Sequence, residues 1–90
     1  MTQTAIRFEA VILRKQDDLP RYIIIKPEIA RAFSGSFDAQ VSLNDGQLFH
    51  RRIHPWGKGS DAYFFNLTKV QCYKAELGTG DMCHVTVIPV

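Results

Sequence analysis

Apolar and polar residues alternate along most of this chain with a period of two, the spacing of strands that turn one face to a core. Ile6, Phe8, Ala10 and Ile12 interleave with Arg7, Glu9, Val11 and Leu13, which predicts a first strand. Residues 15–20 are polar and close on Pro20, as a turn does. Tyr22, Ile23, Ile24 and Ile25 make a continuous aromatic and β-branched run, read as a second strand over 22–26 buried on both faces. Pro27 then suits the first position of a helix and Glu28 its first turn. Ile29 and Phe33 would share one face of that helix, and Ser34-Gly35-Ser36 would end it.

The pattern then starts again. Phe37, Ala39, Val41 and Leu43 alternate with polar neighbours over 37–43, a third strand. Asn44-Asp45-Gly46 is a tight-turn signal, because these residues tolerate positive φ. A fourth strand over 48–54 should pair with the third as a hairpin. Residues 55–60 hold Gly57 and Gly59 and read as a loop. A fifth strand, rich in aromatics, spans 62–67. A second helix covers 68–76 with Thr68 as its N-cap. Its inward stripe reads as Val70, Tyr73 and Leu77, with Leu67, Gln71 and Ala75 as the alternative. Cys83, Val85 and Val87 form the inner face of a sixth strand.

The order strand, strand, helix, strand thus occurs twice, and the halves match by residue. Phe8 and Phe49, Ile12 and Ile53, Tyr22 and Tyr63, and Ile29 and Val70 all lie 41 apart. After the helix the offset becomes 44, relating Val41 to Val85 and Leu43 to Val87. The prediction is a mainly β domain over 1–90: a six-stranded, closed or nearly closed barrel with two short helices. Its pseudo-repeats would be 5–43 and 46–88, related by a pseudo-twofold axis. Neither half can bury its sheet face alone, and closure removes the sheet edges.

Composition narrows the class of function. Ninety residues at 46% hydrophobic and 22% charged suit one globular domain, not a disordered chain. Eleven basic and nine acidic side chains leave a net charge of +2, too balanced to point to nucleic acid by itself. No apolar run approaches the ~20 residues of a membrane span. The start of the chain has no apolar stretch behind a basic one, so a cytoplasmic location without membrane attachment is expected. Cys72 and Cys83 read as reduced, buried thiols.

The densest candidate site is His50-Arg51-Arg52-Ile53-His54-Pro55-Trp56-Gly57-Lys58. Cations beside an aromatic ring can hold phosphates and stack a base; a solvated hairpin strand with a tryptophan at the rim is the plainer reading. Within it Arg51 stands out. Period two places it on the inner face with Phe49 and Ile53, where its counterpart is Ala10. A buried guanidinium cannot shed its proton. It must turn outward at a bulge, meet a carboxylate such as Glu9, Glu76 or Asp81, or line a pocket for an anionic ligand with His50, His54, Trp56 and Lys58 as neighbours.

Metal chemistry has little support. His50 and His54 would stand about 13 Å apart on a strand, and Cys83 and His84 point to opposite faces. Neither a metal nor another cofactor is expected. Asp17-Asp18 reads as a solvated turn and Asp81 as a carboxylate bonding turn N–H groups. Gly57-Lys58-Gly59 is too short for a phosphate-cradling loop, and no catalytic residues are assigned.

Several short motifs resemble a bacterial family of small β-barrels classed as a domain of unknown function. These are Phe8-Glu9-Ala10, Lys26-Pro27-Glu28, Asn44-Asp45-Gly46 ahead of Phe49, Pro55 with Gly57 and Gly59, and Gly80-Asp81 before a valine-rich strand. Members often stand beside a YdeI/OmpD-associated, bacteriocin-resistance-type domain. The resemblance implies a barrel fold and no particular activity. The chain departs from the family at Gln71, where an apolar residue is usual, and at Cys72, where arginine is usual. Residues 67–81 and the strand after them also look like half of an AbrB-type swapped-hairpin transcription factor, a likeness of fold. The expectation is a non-enzymatic barrel module for a small ligand, such as an anion, or a protein partner. The alternative is an AbrB-like nucleic-acid-binding protein.

Overall fold

In the computed structural model, residues 5–57 and 59–90 are described. Alternation and turn residues together produce β1 (Ile6–Val11), β2 (Arg21–Ile25), β3 (Phe37–Leu43), β4 (Phe49–Gly57), β5 (Ser60–Leu67), the helix α1 (Lys69–Lys74) and β6 (Met82–Pro89). The six strands hydrogen-bond in the order β1-β6-β3-β4-β5-β2, and every pairing is antiparallel. The two edges meet through a bridge. Leu13 and Tyr22 exchange N–H···O bonds of 3.0 and 2.9 Å, so the sheet is a nearly closed barrel.

The period-two pattern sets what is inside. Phe8, Ile12, Ile23, Ile25, Val41, Ile53, Phe65, Leu67, Val85 and Val87 fill the interior, with Ala39 and Cys83 as small fillers. The ladders repeat in kind. Phe8 lies opposite Val85 and Ala10 opposite Cys83, while Phe49 lies opposite Val41 and Arg51 opposite Ala39. Ser42 and Thr86 face each other where β3 and β6 cross.

The turn between β3 and β4 follows its residues: Asn44 and Asp45 take φ of 52° and 60°. Asn44 also reaches β6, its Oδ1 accepting from the His84 N–H at 2.9 Å. After α1, Asp81 Oδ2 accepts from the Gly78 N–H at 2.8 Å, the turn role its position suggests.

Four expectations are corrected. The helix expected from Pro27 is a pair of turns. The Ile29 and Ala30 N–H groups both bond the Lys26 carbonyl, and only the Phe33 N–H bonds Ala30. Unlike α1, this segment has Lys26 rather than Ser, Thr, Asp or Asn ahead of its first turn, so no side chain caps it, and Gly35 with φ of 66° closes it. Phe33 instead packs on Phe37 and Tyr63, with ring centroids 4.6 and 5.1 Å away. The second strand is not buried on both faces: Ile23 and Ile25 point inward, while Tyr22 and Ile24 are half-buried on the outside. The expected loop at 55–60 is mostly strand, because β4 runs on through Pro55 and Trp56 to Gly57. A register shift between Pro55 and Gly57 absorbs the missing proline N–H.

The fourth correction concerns the helix face. α1 covers only six residues, fewer than two turns, so its own periodicity cannot choose a phase. Its start is fixed by a capping box, in which Thr68 Oγ1 accepts from the Gln71 N–H and Gln71 Oε1 from the Thr68 N–H. Leu67 enters from inside the barrel, and Cys72 and Ala75 turn inward after it. Val70 and Tyr73, read as inward, are 60% and 85% exposed.

Candidate functional site

The outer face of β2, β5 and β4 carries an aromatic cluster. Outward parity puts Tyr22 on β2, Phe64 and Asn66 on β5, and His54 and Trp56 on β4. Tyr22 stands opposite Asn66, and Phe64 opposite both Ile24 and His54, so one row of side chains crosses all three strands. The Trp56 ring lies 5.8 Å from Tyr22 and 5.3 Å from Phe64, the latter edge-on at 82°. His54 is tilted against Phe64 at 5.6 Å. Such pairs contribute about 0.5–1.5 kcal/mol each beyond burial.

The turn between β1 and β2 folds over this cluster. Arg14 pins it, donating from Nε to the Leu19 carbonyl at 2.8 Å and from Nη2 to the Asp17 carbonyl. The turn thereby holds Lys15 Nζ 5.1 Å above the Trp56 ring. A cavity of about 280 Å³ results, lined by Lys15, Leu19, Pro20, Tyr22, Trp56, Phe64 and Asn66. It offers flat apolar walls, one ammonium and one amide. Trp56 is 37% exposed and Leu19 40%, so the walls are open to solvent.

The structure divides the residues singled out from the sequence. His54 and Trp56 belong to the aromatic cluster. His50 sits on the outer face of the other strands, its Nε2 3.3 Å from Asp38, which also pairs with Arg52 at 3.2 Å. Arg51 keeps the inward register opposite Ala39 in a regular stretch of ladder, away from the bulge. It makes no ion pair among the described residues, and its buried Nε has no hydrogen-bond partner. It is not part of the aromatic cavity. Lys58 lies outside the described residues.

Reading the sequence missed Lys15, Leu19, Pro20, Tyr22, Phe64 and Asn66. A partial signal exists: once Ile23 and Phe65 are placed inside, Tyr22 and Phe64 must point out. The approach of the 15–20 turn has no such signal, since it depends on which strand neighbours β2.

The thiols are poorly suited to nucleophilic work at neutral pH. Burial pushes Cys83 up to about 11, helped by the Glu9 carboxylate and by Cys72. Burial also raises Cys72, against the opposing pull of the Arg21 guanidinium. Among the described residues no three His, Cys, Asp or Glu side chains cluster as metal ligands would, and no helix is long and apolar enough to cross a membrane. No protein-family model matches the chain, and a search of curated proteins finds no match.

Proposed function

We propose that this chain is a non-enzymatic binding module whose aromatic cavity takes a small anionic ligand with a flat ring. The observation that carries the reading is the Tyr22–Trp56–Phe64 cluster with an ammonium held above it. Three rings present apolar faces for a planar group, Asn66 provides an amide for its polar edge, and Lys15 supplies the charge among the described residues of the wall. A ligand anion would draw Lys15 off the Trp56 face and replace a weak contact of about 0.5–1 kcal/mol with a charge-assisted one.

Trp56 is the one tryptophan, so its emission reports the site directly. Titration with benzoate and with adenosine monophosphate should change that emission in a saturable way. Cyclohexanecarboxylate, which lacks the flat ring, and benzamidine, which reverses the charge, should bind weakly. Lys15→Gln should loosen the anions only. Equal binding of benzamidine and benzoate, or no saturable response to either anion, would sink the reading.

The wider reading is of a bacterial, cytoplasmic module of the small-barrel family that the motifs resemble, built by duplication of a ββαβ unit. The register supports the duplication: shifting Phe8 by 41 and Val85 by 44 gives Phe49 and Val41, which are themselves paired, and Ala10–Cys83 gives Arg51–Ala39 in the same way. Ser42 and Thr86 would lie on the axis. A circular permutant opened at Asp45, with a linker joining the ends of β1 and β6, should therefore fold. Loss of the cooperative unfolding transition in that permutant counts against duplication.

A further inference from the structure

A second surface, separate from the aromatic cavity, is formed where α1 meets the start of β2. A groove of about 650 Å³ is lined by Arg14, Arg21, Lys69 and Lys74 around an apolar floor of Val70, Tyr73 and Leu77. Among the described residues no acidic side chain lines it. The ion pairs among the described residues engage only Asp38 and Glu9, so none of these four cations is neutralised within 4.0 Å. Two of them are anchored: Arg14 grips the turn carbonyls, and Arg21 Nε donates to Thr79 Oγ1 at 3.0 Å. Lys69 and Lys74 are exposed at either end of α1.

The exposed apolar groups are the ones the capping box turned away from the core. Tyr73 is 85% and Val70 60% exposed, side by side with the cations on one face. We propose that this groove docks an acidic peptide segment of a partner protein, with apolar side chains on Val70 and Tyr73 and carboxylates on the four cations. The charge complement selects an anion, and the floor selects one that carries apolar side chains. A nucleic-acid strand fits less well. The groove offers a single exposed ring, Tyr73, so successive bases would have little to stack on.

The test is fluorescence anisotropy with a short fluorescein-labelled peptide of Glu and Leu residues, its counterpart with Lys for Glu, and labelled oligothymidylate. The acidic peptide should bind with an affinity that falls as salt rises, and the basic one should not bind. The double variant K69E/K74E should weaken the acidic peptide by more than about tenfold, a change of ~1.4 kcal/mol, with its circular dichroism unaltered. Tyr73→Ala should weaken it less, and Trp56→Ala not at all, which separates this surface from the aromatic cavity. Unchanged affinity in K69E/K74E would overturn the proposal. So would oligothymidylate binding more tightly than the acidic peptide, which would make the groove a nucleic-acid surface.

Discussion

Two basic regions of this molecule behave in opposite ways. The stretch around Arg52 is dense in sequence, yet β3 sets Asp38 directly opposite Arg52 and within reach of His50, so the fold pairs its two outward-facing groups with a carboxylate. The groove beside α1 draws Arg14, Arg21, Lys69 and Lys74 from three separate segments that look unremarkable along the chain, and among the described residues none of them has an ion-pair partner within 4.0 Å. Charge density along a sequence is therefore a poor guide to charge density on a β surface. Antiparallel register decides which side chains become neighbours, and it brings together residues far apart in the chain.

The largest test of this comparison is Ile53→Ala. Ile53 is fully buried and fixes the stretch of β4 that places Arg52 opposite Asp38 and His54 beside Phe64. The variant should lose about 2–5 kcal/mol in urea unfolding. A smaller loss would mean that β4 is held by its hydrogen bonds rather than by its core contacts.

Arg51 sharpens the same comparison from the inside, as the one basic residue on the core-facing side among the described residues of the stretch. Its buried Nε lacks a partner, an arrangement that costs on the order of 1–3 kcal/mol. Arg51→Met keeps the aliphatic stem and removes the unsatisfied group, so it should stabilise the fold by about 1 kcal/mol. Marked destabilisation in the same unfolding measurement would show that the guanidinium has a partner the geometry does not reveal.

Asp38→Asn should have the smallest effect on stability, about 0.2–1 kcal/mol, because both of its ion pairs are half exposed. Its larger consequence should appear on heparin, where freeing His50 and Arg52 ought to delay elution. Unchanged retention would mean that Asp38 is not what silences this stretch.

Much of the fold was legible because the strands are short and strictly alternating. Phe8, Val41, Val85 and Val87 could be assigned to the core from period two alone, and Asn44-Asp45-Gly46 marked its hairpin through positive φ. The misreadings fell where a local pattern was too short to decide. Pro27 opened a turn because Lys26 before it supplies no cap and Gly35 closes the segment. On α1 the stripe of Val70 and Tyr73 was preferred over a nearly equal alternative, and burial of Cys72 and Ala75 overturned it. Pro55 and the paired glycines suggested a loop, and the resulting cut at His54 hid Trp56 from the strand that carries it.

Period two and turn chemistry thus determined the strands, most of the core and the mainly β class, since these depend on neighbours within a few residues. Only the tertiary structure decided the order β1-β6-β3-β4-β5-β2, and with it both candidate surfaces. The aromatic cavity exists because β2 pairs with β5 and the turn before it, braced by Arg14, falls across Trp56. The basic groove exists because β2 begins beside α1. Strand order is a choice among non-local pairings, each with its own loop-closure entropy and shared burial, and no local pattern of residues encodes it.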